Sequence, residues 1–165
     1  MKQAIAGVSP SQVSEAPVMT IWPSICAYPS GRFLGALYAI RFPNISRVFR
    51  VGNIIALLSI PHALLLYFWK VLPVVGMRYT LTNRRVVVQR GINGVDERSV
   101  NLDKFDNIRI VVQPGQAWFQ AGDLIFRSGN REVFRLQGVS RPESFRQACL
   151  KSHLAYVGVQ QALRS

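Results

Sequence analysis

The clearest chemistry in this sequence belongs to arginine side chains, and that chemistry is contact with anions. Arg78, Arg84 and Arg85 lie close together, and Arg131 lies at or beside a predicted later turn. Near an anionic lipid leaflet, each such side chain can contribute about 1 kcal/mol to binding. We therefore predict that these four arginines contact lipid headgroups or a partner. The alternative is a solvated basic edge that discourages sheet-to-sheet aggregation.

No arrangement of residues predicts catalysis or metal binding. His62 and His153 stand far apart, without HxxxH or CxxC spacing. The Gly91 and Gly94 turn lacks the Lys-Ser or Lys-Thr that follows a phosphate-binding loop, and no serine lies in a nucleophile elbow. We expect no catalytic residue, no cofactor and no metal.

The overall charge favours anionic partners without choosing among them. The chain has 165 residues, with 20 Lys and Arg against 8 Asp and Glu, a formal net charge of +12. Phospholipid headgroups and nucleic acid both fit that sign, and a nucleic-acid binder is favoured by charge alone. Cys26 and Cys149 precede and follow the main hydrophobic segment, which predicts buried thiols rather than a disulfide.

The arginines near position 80 are positioned by a predicted β-hairpin over residues 77–90. Apolar and polar residues alternate up to Thr82, and a β-branched run follows the Asn83 and Arg84 turn. This turn pairs Leu81 with Val86 and Tyr79 with Val88 on one apolar face. The hairpin is therefore predicted to start the core of a domain.

A hydrophobic segment, residues 51–76, runs directly into this hairpin. About 20 apolar residues suffice to cross a bilayer, so we predict a transmembrane helix, with a re-entrant helical hairpin bent at Pro61 as the alternative. A buried core helix is a third interpretation. Tyr67 and Trp69 suit a membrane interface, and Lys70 can extend its charged end to the headgroups.

The residues before this segment divide into two predicted regions. Residues 1–20 are rich in Ser, Gln, Pro and Ala without periodicity, which predicts a flexible tail. Residues 21–50 contain Pro23, Pro29, Gly31 and Arg32, which oppose a continuous spanning helix. We expect a juxtamembrane segment lying at the membrane interface, with an amphipathic helix after Pro43.

Short strands and a final helix are predicted after the hairpin. Strands are expected over 97–102, 108–112, 124–127 and 133–136, with Trp118 and Phe119 packed under the sheet. Ser140 and Glu143 suggest a capping box before a helix over about 141–158. Its apolar stripe contains Phe145, Cys149 and Tyr156, and this stripe would cap one end of a bent sheet.

The order of these elements resembles the bacterial pleckstrin-homology (PH) domain family in its membrane-anchored form. The resemblance lies in Tyr79, Leu81, Thr82, Asn83 and Arg84, followed by Val86, Val88 and Gly91, with support from residues 122–125 and 141–145. It implies a mainly β fold, in which a strongly bent antiparallel sandwich or barrel of about seven strands is capped by a C-terminal helix over residues 77–160. It also implies a non-enzymatic role and a domain that faces the cytoplasm. The commoner pattern in this family has two clear transmembrane helices, from which the single hydrophobic segment departs.

Three functions follow as hypotheses. The leading one is a scaffold or adaptor at the cytoplasmic face of the bacterial inner membrane, binding anionic lipid headgroups or protein partners rather than nucleic acid. The second is an accessory structural subunit of a larger integral membrane complex. The third is a basic nucleic-acid-binding protein.

Overall fold

The computed structural model describes residues 14–39, 51–71, 76–91 and 93–164. Within the helix over residues 51–71, side chains are described for residues 57–69, and at the C-terminal end they are described as far as residue 162. Within these described residues, seven strands form two antiparallel sheets. The strands are β1 (Pro17–Ile21), β2 (Met77–Thr82), β3 (Arg85–Arg90), β4 (Val95–Asn101), β5 (Asn107–Val111), β6 (Ala121–Ser128) and β7 (Arg131–Ser140). The α-helices are α1 (Pro29–Ala39), α2 (Val51–Val71) and α3 (Pro142–Arg164), and short 3-10 helices span Ile25–Ala27, Leu102–Lys104 and Ala117–Phe119.

The predicted hairpin and its register are confirmed in β2 and β3. Tyr79 pairs with Val88 and Leu81 pairs with Val86. The turn is closed by Thr82, whose Oγ1 accepts hydrogen bonds from the backbone N–H of Arg84 at 3.2 Å and of Arg85 at 3.0 Å. A side-chain acceptor thus closes the turn, which explains why the tight loop does not require glycine.

The core lies between a four-stranded sheet, in the order β1-β2-β3-β4, and a three-stranded sheet, in the order β5-β6-β7. Apolar residues of both sheets meet there, as the alternation of each strand requires. The core includes Tyr79, Leu81, Val86, Val88, Leu102, Phe105, Ile108, Leu124, Phe126, Leu136 and Val139. The two sheets form a sandwich consistent with the PH fold, and they are not closed into a barrel.

Strand β1 comes from the N-terminal part of the chain, before the long apolar helix. Residues 17–20, expected in a flexible tail, belong to β1, which pairs antiparallel with β2. Met19 and Ile21 pack against the core, and this burial offsets the cost of ordering the strand. Pro23 then forms a bridge to Val139, so the same segment reaches the second sheet. The rest of the predicted tail, residues 1–13, lies outside the described residues.

The predicted C-terminal helix is present, and it is longer than expected. Phe145 and Cys149 are fully buried, and Ala148 and Tyr156 pack against the core, as the stripe predicts. The predicted capping box is replaced by a different start, because Ser140 is the last residue of β7 and Arg141 turns the chain with φ 49°. The Glu143 carboxylate accepts hydrogen bonds from Arg146 and Gln147.

The predicted membrane segment, residues 51–76, corresponds to α2 as far as Val71, and residues 72–75 lie outside the described part. Pro61 lies inside the single helix, so the re-entrant hairpin with its bend there is not observed. A proline removes one backbone donor and can bend a helix without reversing it. Among the residues that the structure describes, no helix has both the length and the apolar character required for crossing a membrane. The expected transmembrane helix is therefore not supported.

The predicted juxtamembrane region, residues 21–50, contains a 3-10 helix and α1. Its proposed amphipathic helix after Pro43 falls at positions that the structure does not describe. Trp118 and Phe119, predicted under the sheet, lie instead in an exposed 3-10 helix, and Trp118 is 58% exposed. The loop 113–120 folds toward α1 rather than under the strands.

Candidate functional site

The arginines of the hairpin lie in a network of polar contacts. Arg85 Nε donates to Glu15 Oε1 at 2.8 Å, and its Nη2 lies 3.1 Å from Asp96 Oδ2. The hydrogen bond from Arg85 holds the pKa of Glu15 below its usual value, and the same bond raises the pKa of Arg85. Arg85 is therefore neutralised from both sides by its own chain.

Arg78 and Arg84 occupy different ends of the hairpin. Arg78 Nε donates to Gln89 Oε1 at 2.9 Å, and its guanidinium lies against Gly94 at the next turn. Gly94 has φ 61°, and a Cβ there would overlap Arg78 Nη2. Arg84 lies half-buried at the tip of the hairpin, where its carbonyl accepts a hydrogen bond from Leu102 N. The three side chains thus share one hairpin without converging on one point.

The N-terminal segment covers the tip of this hairpin. Ala16 N donates to Asn83 Oδ1 at 3.1 Å, Asn83 N donates to Ala16 O at 3.1 Å, and Asn83 Nδ2 donates to Ser14 O at 3.2 Å. Nothing in the composition of residues 14–16 indicates this contact. A ligand of Arg85 would have to compete with Glu15.

Arg131, the fourth predicted contact, lies apart from the hairpin at the start of β7. It lines a groove that also contains Lys104 and residues of β4. The structure therefore separates the predicted arginines into the hairpin edge and this groove. The roles of all four in lipid or partner contact stay predictions.

The side chains described on α2 form an extended apolar surface. Over residues 57–69 only three side chains are covered, namely Ser59, Ala63 and Leu66, and they lie on one stripe of the helix. The other faces expose leucine and aromatic side chains. Those exposed are Leu57, Leu58, Ile60, Leu64, Leu65, Tyr67, Phe68 and Trp69.

Two of the three predicted membrane anchors belong to this surface. Tyr67 and Trp69 are both more than half exposed, and Tyr67 packs edge-to-face with Phe68 at 6.1 Å between ring centroids. Lys70 lies within α2, and its side chain is outside the described part. The role of these three residues as membrane anchors stays a prediction.

Contacts through α1 connect α2 to the β-sandwich. Tyr38 of α1 and Ser59 of α2 share a hydrogen bond of 2.5 Å, and the Tyr38 ring packs against Trp118 at 5.6 Å between centroids. Gly35 allows α1 to approach the loop closely, because a Cβ at this position would overlap Gly115 O. The exposed Trp118 therefore lies near the helices, which the sequence alone did not indicate.

A buried carboxylate holds the same loop in place. Asp123 is 1% exposed, and it accepts hydrogen bonds from Gln113 Nε2 at 2.9 Å, Gln116 Nε2 at 2.6 Å and Gly138 N at 3.0 Å. Gln113 in turn accepts a hydrogen bond of 2.8 Å from Arg32 of α1. These hydrogen bonds therefore link β6 to α1 through Gln113.

The two cysteines lie in surroundings that suppress their reactivity. Cys26 and Cys149 are both free thiols and fully buried. Burial raises the pKa of Cys26 and raises that of Cys149 to about 12, which makes both poor nucleophiles. Within the described part of the chain, no group of three or more His, Cys, Asp or Glu side chains is placed to hold a metal ion.

A known protein family matches most of this chain. The family model described as "Bacterial PH domain" matches residues 30–155. No curated protein and no solved structure matches the chain. Because the family match covers well over half of the sequence, the chain belongs to the bacterial PH domain family. The PH domain family is typically non-enzymatic, which points to a binding or scaffold role.

Proposed function

We propose that this member of the bacterial PH domain family is a membrane-associated, non-catalytic binding protein. Its apolar helix α2 would lie in or against lipid, and its β-sandwich would serve as a scaffold or adaptor beside the membrane surface. The proposed location is the cytoplasmic face of the bacterial inner membrane. The proposed partners are anionic lipids and proteins.

The observation that carries this proposal is the exposure of apolar side chains around most of α2. Leu58 is 74% exposed, and Leu57, Leu64, Leu65 and Phe68 are 68%, 49%, 62% and 64% exposed. Fully burying one such side chain is worth about 1.5–3 kcal/mol, so leaving several in water is costly. A helix that is apolar on nearly every face is stable when a membrane or a protein core surrounds it.

The coupling between α2 and the sandwich supports a defined placement of the domain. Tyr38 connects α2 to Trp118, and Arg32 connects α1 to the Asp123 hydrogen bonds. Tryptophan and tyrosine side chains are favoured where an apolar phase meets water. Trp118 and Trp69 would therefore lie at this boundary, with the sandwich on the aqueous side.

The hairpin arginines supply a proposed contact with anionic headgroups. Arg84 lies at the hairpin tip, and Arg78 is half-buried near the opposite end. Arg85 has two carboxylate partners, so a headgroup at Arg85 would have to compete with both of them. Such contacts are screened by salt, whereas apolar burial is not.

A second candidate function is an accessory subunit of a larger membrane complex. The same apolar faces of α2 would then pack against helices of a neighbouring protein rather than lipid acyl chains. The favouring observation is that the covered stripe of α2 shows this helix already packing through Ser59 and Ala63, small residues of the type that allow close helix contact. The experiment below separates the two functions.

The test is flotation of the full chain with vesicles of phosphatidylcholine, with and without phosphatidylglycerol. We expect the protein to float with both vesicles at high salt. Leu58→Glu combined with Leu65→Glu should reduce the floated fraction at least about tenfold, because it removes two apolar contacts and adds two charges. Leu154→Glu is the matched control, since Leu154 is an equally exposed leucine on another helix, at 70%.

A wild-type protein that stays in the dense fraction would contradict lipid association. Equal losses for the α2 variant and for Leu154→Glu would also contradict it, because the effect would then be non-specific. If the wild-type protein floats only when it has been purified together with another membrane protein, the accessory-subunit function replaces direct lipid association. Arg84→Glu should lower only the additional binding that phosphatidylglycerol provides at low salt.

A further inference from the structure

An open groove runs between β4 and the first half of β7. Two adjoining depressions of about 470 and 630 Å³ share Ser99 and Val133, so they form one continuous feature. Residues 98–101 and 131–135 line it, together with Lys104 and Ser128. We call this feature the β4–β7 groove.

The groove follows strand edges rather than one face of a sheet. Successive side chains of a strand point to opposite faces, so a groove on one face is lined by alternate residues. Here consecutive residues of both β4 and β7 line it. Within the described part of the chain, β4 pairs only with β3, and residues 131–135 of β7 pair only with β6. Unpaired backbone donors and acceptors therefore lie along the groove.

The side chains that line the groove give it a positive charge. They comprise four cations, Arg98, Lys104, Arg131 and Arg135, and one anion, Glu132. Arg135 donates to both oxygens of Glu132 at 2.8 and 2.9 Å, and its Nη1 lies 3.9 Å from Asp123 Oδ2, so carboxylates already compensate its charge.

The other three cations have no carboxylate partner among the residues that line the groove. Arg98 lies over the Phe134 ring at 5.8 Å to its centroid, and Lys104 pairs at 3.7 Å with Asp103, which does not line the groove. Among described residues, no carboxylate pairs with Arg131 or Arg98. The groove is thus complementary to an anionic ligand.

We infer that the β4–β7 groove binds an extended acidic peptide segment of a partner protein, which adds as a strand beside β4 or β7. A peptide backbone satisfies the unpaired edge groups, and this mode of strand addition is a general form of peptide recognition. Acidic side chains at alternate positions would meet Lys104 and Arg131, and apolar ones would meet Val133. A lipid headgroup or a nucleic acid has no such backbone to pair with a strand edge. The inference is independent of how α2 meets the membrane.

The test uses the full chain and a fluorescein-labelled peptide of alternating Glu and Val, with a Lys and Val peptide for comparison. Fluorescence anisotropy should show binding of the acidic peptide only. Arg131→Glu and Lys104→Glu should each weaken binding about tenfold, because a like charge replaces an opposite one. Arg109→Glu is the matched control: this exposed strand arginine on β5 lies outside the groove.

Amide hydrogen exchange separates strand addition from charge attraction alone. The bound acidic peptide should slow exchange either in residues 95–101 or in residues 131–137. It should leave exchange in β5 unchanged. Absence of binding at about millimolar peptide would overturn the inference, as would an equal effect of Arg109→Glu. Binding of phosphatidylglycerol vesicles or duplex DNA that depends on Arg131, without peptide binding, would assign the groove to those anions instead.

Discussion

At the scale of single residues, the buried carboxylate of Asp123 holds the loop over residues 113–120 in place. Asp123 accepts hydrogen bonds from two side chains of the 113–120 loop and from one backbone N–H of β7, and it is almost completely buried. A buried carboxylate is stable only when its oxygens are satisfied, and here two glutamine side chains and one backbone N–H do this. The residue therefore supports the loop on which α1 rests.

We expect Asp123→Asn to destabilise the fold by about 2 kcal/mol or more, because an NH₂ group would replace an acceptor and face other donors. Asp103→Asn is the control, since Asp103 is exposed with one long contact to Lys104, and it should change stability by less than about 0.5 kcal/mol. Urea denaturation followed by tryptophan fluorescence measures both. Indistinguishable midpoints for the two variants would show that the Asp123 hydrogen bonds contribute little.

At the scale of elements, two helical glycines have opposite surroundings. Gly35 in α1 is pressed against the loop that contains Gly115, whereas a Cβ added to Gly158 in α3 would meet nothing within 4 Å. Alanine is the better helix former by about 1 kcal/mol. The same substitution should therefore act in opposite directions at the two sites.

Gly35→Ala should displace α1 from the loop and destabilise the protein, because the new Cβ would overlap Gly115 O. Gly158→Ala should stabilise it by about 0.5–1 kcal/mol. Urea midpoints report the two effects, and hydrogen exchange in residues 29–39 reports whether α1 is released. Stabilisation by Gly35→Ala would mean that α1 does not pack closely on the sandwich.

At the scale of the whole molecule, the sandwich depends on residues that precede the hydrophobic helix. β1 completes the first sheet, Pro23 bridges to the second, and Cys26 is fully buried beside them. Gly138 accommodates this arrangement, since it has φ 59° and lies against Ala27. The residues from Met77 onward thus supply six of the seven strands in the part of the chain that the structure describes.

We expect a fragment of residues 77–165 to be less stable than the full chain by at least about 2 kcal/mol, because it loses the apolar contacts of Met19 and Ile21. A synthetic peptide of residues 14–28 should restore part of this stability when added in trans. The control peptide carries Met19→Ser and Ile21→Ser, and it should have no effect. Equal urea midpoints for the fragment and the full chain would show that β1 is dispensable.

The local patterns in the sequence determined much of the fold. Alternation around Asn83 and Arg84 predicted the β2–β3 register, and the stripe of Phe145 and Cys149 predicted the buried face of α3. These predictions succeed because they depend on periodicities of two and 3.6 residues within one element. The apolar character of α2 and the family were likewise readable from sequence.

Only the tertiary structure decided which distant segments meet. Nothing in residues 14–21 indicates that they pair with β2 and place Glu15 beside Arg85. Exposed Trp118, buried Asp123 and the separation of Arg131 from the hairpin arginines also depend on contacts between elements far apart in sequence. Such contacts are set by the packing of whole faces, and a sequence pattern specifies a face without specifying its partner.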